Sequence, residues 1–172
     1  DSRMQKYAEE AMTEHMGPYQ DKFFDEWKKR NRNPWVDDDG REIKDFLERR
    51  IKRSDAYKAY VERYGEGSDS LKIMLNLKKQ MRIFTWKGER DTLFSSMDSL
   101  NYYMRFLQAG FLSMDPYTGH IKAWVGGINH KYFQYDHLRS NRQVGSTFKP
   151  FIYGTAIISQ AMSPCFKVTD QQ

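Results

Sequence analysis

Met4, Tyr7, Ala8, Ala11 and Met12 recur at i, i+3, i+4, i+7 and i+8, the apolar stripe of an amphipathic helix. Gly17-Pro18 predicts its end. A second helix is predicted over 19–30. It carries Phe23, Phe24 and Trp27 on one side and Lys28-Lys29-Arg30 in the last turn, where cations complement the helix dipole. Asn33-Pro34 breaks it. Asp37-Asp38-Asp39-Gly40 then supplies caps and first-turn charges for a helix over 41–52, with Ile43, Phe46, Leu47 and Ile51 as its buried stripe. Ser54 caps a further short helix carrying Tyr57, Val61 and Tyr64, which Gly65-Glu66-Gly67 ends. The stretch from Leu71 to Leu77 fits two templates. Leu71, Ile73, Leu75 and Leu77 alternate like a strand, whereas Leu71, Met74 and Leu75 fit a helical turn.

Met81 to Trp86, followed by Lys87-Gly88, reads as a strand and turn. Dense helical charge gives way there to strand and turn signals, so a domain boundary is expected near residue 80. Asp98 or Ser99 caps a helix with Leu100, Tyr103, Met104 and Leu107 on one face, and Gly110 takes the left-handed position after it. Two short apolar runs, 111–114 and 121–126, flank Asp115-Pro116-Tyr117-Thr118-Gly119, whose Asp-Pro start and Gly finish predict a hairpin. Residues 128–142 have no period and are expected to cross the surface as a long loop. A final helix after Gly145 carries Phe148, Phe151, Ile152, Ala156 and Ile157.

Composition narrows the class. Of 172 residues, 39% are hydrophobic and 30% charged, a balance that favours a well-solvated surface, while 15% aromatics are too many for a disordered chain. A net charge of +5 suits a nucleic acid, an anionic membrane surface or an anionic cell-wall polymer, and does not choose among them. Arg49-Arg50 and Lys52-Arg53 lie on helix faces already assigned to solvent, and no nucleic-acid-binding motif accompanies them, so no nucleic-acid partner is expected. The lone Cys165 excludes an internal disulfide and a Cys-based metal site, and is expected to be a small, half-buried thiol. Trp35 and Phe46 occupy places where a calcium loop around Asp37-Asp38-Asp39-Gly40 would need acidic residues, so neither metal nor cofactor is expected. No run approaches the ~20 apolar residues of a membrane span. The chain starts at Asp1 rather than Met, and is expected to be an excised segment whose membrane anchor lies elsewhere.

The candidate chemistry lies in Gly145-Ser146-Thr147-Phe148-Lys149-Pro150. A nucleophilic serine needs a base for its proton, and Ser146 and Lys149 are spaced to share one helix face. Unpaired N–H groups and the positive dipole at a helix start favour an alkoxide and an oxyanion there. A free ammonium of pKa ~10.4 is no base, however, and bringing one to ~7 takes roughly 4 kcal/mol of desolvation and neighbouring charge, hence a closed pocket. Ser-x-x-Lys alone also arises by chance in a lysine-rich chain. Pro150 makes the start of the helix, and with it the distance between the two residues, depend on local geometry.

The surrounding residues add a resemblance. The run from Asp115 to Gly127, Asp-Pro-Tyr-Thr-Gly-His-Ile-Lys-Ala-Trp-Val-Gly-Gly, followed by Arg142-Gln143-Val144-Gly145-Ser146-Thr147-Phe148-Lys149-Pro150, resembles the bifunctional class A penicillin-binding proteins. There a hairpin ending in Gly-Gly precedes the nucleophile motif in this order. The opening run from Asp1 to Ala11 is similar to the segment with which the family's transpeptidase region starts. The resemblance implies an α+β fold: an incomplete serine β-lactamase/penicillin-binding-protein transpeptidase fold in residues 81–172, preceded by a helix-rich linker or inserted subdomain in residues 1–80. It implies Ser146 as nucleophile, Lys149 as proton acceptor and the Ser146 backbone N–H as one oxyanion donor, with no metal. The partners it implies are peptidoglycan stem peptides ending in D-Ala-D-Ala, β-lactams that imitate them, and the remainder of the transpeptidase domain. The implied location is the outer face of the bacterial cytoplasmic membrane, with the parent anchored by an N-terminal transmembrane helix. The family's pocket also uses a Ser-x-Asn loop and a Lys-Thr-Gly strand, and neither follows Ser146 here. The chain alone is therefore expected to react poorly with penicillin. The competing reading is a non-catalytic scaffold or docking segment of a cell-wall complex.

Overall fold

The computed structural model describes residues 1–167 and divides into two compact units, Asp1–Leu138 and Arg139–Gln172. Helices combine with two separate two-stranded antiparallel sheets, which agrees with the α+β expectation. Among the described residues no helix is long and apolar enough to cross a membrane.

The first helix departs from expectation. α1 runs unbroken over Ser2–Arg30, through Gly17-Pro18, from an Asp1 side chain that accepts from the N–H groups of Arg3 and Met4. It stops at Asn31, which adopts the left-handed conformation. An internal proline removes one hydrogen bond and costs about 3 kcal/mol, so something else must hold the helix together. That something is long-range packing. Gly17 lies against Trp86, close enough that a Cβ would be 3.5 Å from the Trp86 Cβ. One turn on, Gln20 is 0% exposed. Its Nε2 donates to the Arg105 carbonyl at 3.0 Å, and its Oε1 accepts from the Leu107 N–H at 2.8 Å. Phe24 then packs edge-on against Phe106 at 5.8 Å. Gln20→Leu strands one backbone donor and one acceptor in the interior, and is expected to cost about 2–4 kcal/mol, read as a shift in the urea midpoint with an unchanged slope.

Asp37 does not cap a helix. Its Oδ1 accepts from Asp39 N and Arg41 N, closing a tight turn whose arms meet in a bridge between Val36 and Glu42. α2 is correspondingly short, Phe46–Ile51. Trp35 stacks on Phe46 at 4.9 Å and holds the incoming chain extended where a longer helix was expected. α3, Asp55–Tyr64, has the predicted Ser54 cap and ends at Gly65. The ambiguous leucine stretch is a helix: α4 spans Asp69–Asn76, with Leu71 and Leu75 buried and Ile73 and Leu77 exposed. Ile51, Leu71 and Leu75 make a core with Tyr57, Tyr60, Val61, Met97 and Leu100 around it.

β1, Lys79–Ile83, pairs antiparallel with β2, Arg90–Phe94. β2 had no counterpart in the sequence reading. Asp91 on β2 stands opposite Arg82 on β1, and Arg82 donates to both Asp91 carboxylate oxygens. α5, Ser96–Met104, is capped one turn earlier than expected: Ser95 Oγ accepts from Asp98 N, while the Asp98 carboxylate accepts from Ser95 N. Asp98 is thus the third helical residue and not the cap. Gly110 stands at the entry to β3, with Leu138 3.3 Å from where its Cβ would be. The Ser95 backbone N–H, followed by its hydroxyl, holds the Asp98 carboxyl below its usual pKa. That stabilisation is complete above the unfolded value of about 3.9 and is lost as pH falls through the lowered folded value. Between about pH 5 and pH 3, the melting temperature is expected to fall more steeply for the native chain than for Asp98→Asn.

β3, Phe111–Met114, and β4, Ile121–Val125, form the predicted hairpin, with an irregularity in register at Ser113/Met114. The segment after it has no helix or strand through residue 144, as expected, yet it does more than cross the surface. Tyr132 and Phe133 pack on Phe84 at 5.9 and 5.7 Å, and Phe133 also lies 5.4 Å from Phe106. In the second unit a 3-10 turn, Gly145–Phe148, runs into α6, Lys149–Gln160. Cys165 is exposed, contrary to the half-buried thiol expected, because it lies in a turn after α6.

Candidate active site

The run from Gly145 to Pro150 owes its shape to those two residues. Gly145 has φ 51, a left-handed conformation that is strained for residues with a Cβ. The chain turns there into the 3-10 segment, closed by Thr147 N donating to the Val144 carbonyl at 3.2 Å and by Lys149 N donating to the Ser146 carbonyl. A 3-10 turn has three residues per turn and a rise of about 2.0 Å each, so residues i and i+3 eclipse. Ser146 and Lys149 therefore stand in line on one side, about 6 Å apart along the axis. Because the α-helix starts only at Lys149, Pro150 falls in its first turn, where its missing N–H would have had no partner anyway. The proline is thus compatible with the serine–lysine alignment and helps to set it.

Ser146 and Lys149 are both exposed, as is every residue over 141–150. Among the described residues the Ser146 hydroxyl has no hydrogen bond and Lys149 has no ion pair. The Ser146 N–H sits in the 3-10 turn, at the head of α6. The arrangement aligns a hydroxyl, an amine and a helix start, but it does not enclose them. α6 itself presents Phe151, Ile152, Tyr153, Ile157 and Ile158 as exposed apolar side chains. Among the described residues no group of three or more His, Cys, Asp or Glu side chains is arranged to hold a metal ion.

The other two sequence motifs meet in the first unit. Gln5, from the opening run, uses its side-chain amide as a short strand would. Its Oε1 accepts from Trp124 N at 2.8 Å and its Nε2 donates to the Trp124 carbonyl at 2.9 Å, satisfying the edge of β4. Ala8, Ala123 and Val125 close a small core beneath, with Met12 packed on it. The Asp115 side chain orders the hairpin turn by accepting from Tyr117 N and Thr118 N, both at 3.0 Å. The Thr118 and Tyr117 amides hold its carboxyl below the ordinary pKa, with Lys122 assisting.

The Gly-Gly that ends the hairpin also has a physical reason. A Cβ on Gly126 would lie 2.7 Å from the Asp136 carboxylate. That carboxylate is held in place by the Trp124 indole N–H at 3.1 Å and by Leu138 N at 2.9 Å, while His137 N donates to the Gly126 carbonyl at 2.7 Å. Sequence reasoning missed Asp136, which sits in a stretch without period, 12 residues from its indole partner. No local signal marks it.

The family-model match lies within the first unit. Residues 30–107 match the family model described as the penicillin-binding protein middle domain. Penicillin-binding protein 1A of Pseudomonas aeruginosa is 41% identical over 51 residues, which is 29% of this chain and 6% of that protein. Penicillin-binding protein 1A of Neisseria cinerea is 42% identical over 65 residues, 37% of this chain and 8% of that protein. The namesake from Neisseria flavescens is 38% identical over 72 residues, 41% of this chain and 8% of that protein. The matched stretches thus cover less than a tenth of each relative's length. No solved structure matches. The middle-domain match includes much of the helix-rich region read from sequence as a linker or inserted subdomain.

Proposed function

We propose that this chain is part of a peptidoglycan D,D-transpeptidase of the class A penicillin-binding-protein type, with a linker in residues 1–80 and the N-terminal portion of the transpeptidase domain in residues 81–172. The observation that carries this reading is the placement of Ser146 on a 3-10 turn and of Lys149, three residues on, at the first position of α6. The middle-domain match over residues 30–107 supports it from upstream. In the proposed reaction Lys149 takes the proton of the Ser146 hydroxyl as Oγ attacks the penultimate D-Ala carbonyl of a stem peptide. The Ser146 N–H donates to the oxyanion. Collapse of the tetrahedral species breaks the peptide bond, and the terminal D-Ala leaves with a proton. An amine of a second strand then displaces Ser146 from the acyl group. A β-lactam enters by the same attack and stays bound as the acyl-enzyme. The site of action is the outer face of the cytoplasmic membrane.

The exposure of Ser146 and Lys149 sets the limit of the chain's own chemistry. A lysine serves as a general base only inside a desolvating pocket, so walls from the rest of a transpeptidase domain are needed around this pair. A fluorescent penicillin incubated with this chain and with a longer protein containing it separates the possibilities. The longer protein is expected to be labelled and this chain not. Strong labelling of this chain at Ser146 would overturn the requirement for further walls. Failure of the longer protein to label would overturn the transpeptidase reading and leave the scaffold role.

A further inference from the structure

A cavity of about 640 Å3 lies in the first unit, between the middle of α1 and the turn of the β1–β2 hairpin. None of its lining residues belongs to the Ser146–Lys149 motif. Phe24, Trp86, Tyr102 and Phe106 give it an aromatic floor. Phe106 is buried and the other three are half-buried, so the rings are held by the fold and not by whatever enters. The volume falls within the range of small-molecule sites, which combine an apolar body with a few polar groups.

The α1 wall of this cavity carries one charged group, an acid, while the hairpin wall carries two bases and Glu89. Asp21 stands on α1, while Lys87 and Arg90 stand on the hairpin. Among the described residues none of the three has an ion-pair partner. Glu89, by contrast, is already engaged by Lys131. Arg90 lies near the floor: burial pushes the Tyr102 phenol above its usual pKa, and the Arg90 charge acts against that rise. Trp86 also brings a buried indole N–H that has no acceptor. A purely anionic ligand would meet Asp21 and Glu89, and a purely cationic one would meet Lys87 and Arg90. Simple inorganic ions would leave the aromatic floor unused. A molecule with one charge of each sign and an apolar body satisfies all three features.

We propose that this cleft binds a short zwitterionic peptide, its ammonium paired with Asp21, its carboxylate with Arg90 and Lys87, and an apolar side chain laid on the Trp86–Phe106 floor. The cleft does not depend on the transpeptidase reading, because it is formed within residues 13–106.

Nuclear magnetic resonance of the 15N-labelled 172-residue chain tests this with the dipeptide Ala-Phe as probe, since the four tryptophans give four indole N–H signals of which Trp86 is one. The expected result is a saturable shift of the Trp86 signal that leaves Trp27, Trp35 and Trp124 in place. N-acetyl-Ala-Phe-amide, which lacks both charges, is expected to bind at least about tenfold more weakly. Asp21→Asn and Arg90→Gln are each expected to weaken Ala-Phe by a similar factor. Asp25→Asn, one turn along the same helix and outside the cleft, is expected to change nothing. No saturable shift, equal binding of the blocked dipeptide, or indifference to both cleft variants would each overturn the proposal.

Discussion

Ser146→Ala, made in a longer protein that contains this chain within a complete transpeptidase domain, is expected to abolish labelling by fluorescent penicillin. Loss of the nucleophile removes the covalent intermediate itself, and in enzymes whose serine and base act as a unit such a loss is on the order of 10⁶-fold. Lys149→Ala is expected to leave the hydroxyl but remove its proton acceptor, slowing acylation by about 10²–10⁴-fold. In the 172-residue chain both side chains are exposed and neither supports a core. The same two variants made in that chain should therefore match its native circular dichroism and melting temperature, which separates chemistry from folding. If Ser146→Ala still forms a stable penicillin adduct, another residue is the nucleophile and the proposed reaction fails.

Phe84→Ala is expected to produce the largest loss of stability, about 3–5 kcal/mol. The side chain is 8% exposed and stands at the centre of an aromatic cluster. Its ring lies 5.4 Å from Trp86, 5.6 Å from Phe106 and 5.7 Å from Phe133, contacts that join the turn after β1, the segment after α5 and the loop after β4. Its backbone is tied as well: Phe84 N donates to the Tyr103 hydroxyl at 3.2 Å, and the Tyr102 hydroxyl donates to the Phe84 carbonyl at 2.7 Å. Truncation leaves a ring-sized void among side chains that those hydrogen bonds prevent from collapsing inward. Calorimetry should show a fall in melting temperature of roughly 2–4 °C per kcal/mol for a chain of this size. A loss below about 1 kcal/mol would mean that the cluster repacks freely, contrary to its geometry.

The two variants probe different kinds of information. Ser146 is a candidate legible in the sequence, through Lys149 three residues on and the longer run from Asp115 to Pro150 that surrounds it. Phe84 gives no such signal. It is one aromatic among many until Phe106 and Phe133 are brought to it from distant parts of the chain. Asp136 and Gly126 are a further case: the need for glycine is readable, but the carboxylate that imposes it is not.

Local residue patterns alone determined the elements whose causes lie within a turn of the chain. The Ser54 cap and Gly65 stop bounded α3, Asp115 to Gly119 built the second hairpin, and the Ser146–Lys149 spacing placed both residues on one side. Tertiary structure decided the rest. It carried α1 through Pro18, where Gln20 reaches Leu107, 87 residues away, to make bonds that a local breaker signal cannot anticipate. It shortened the helix expected over 41–52 by stacking Trp35 on Phe46. It resolved Leu71 to Asn76 as helical by burying Leu71 and Leu75 together against Ile51. It also opened the cleft over Trp86. The physical reason is one of scale. Caps and turn preferences are each worth about 1 kcal/mol, whereas fully burying a large apolar side chain is worth about 1.5–3 kcal/mol, and which side chains are buried depends on residues far along the chain.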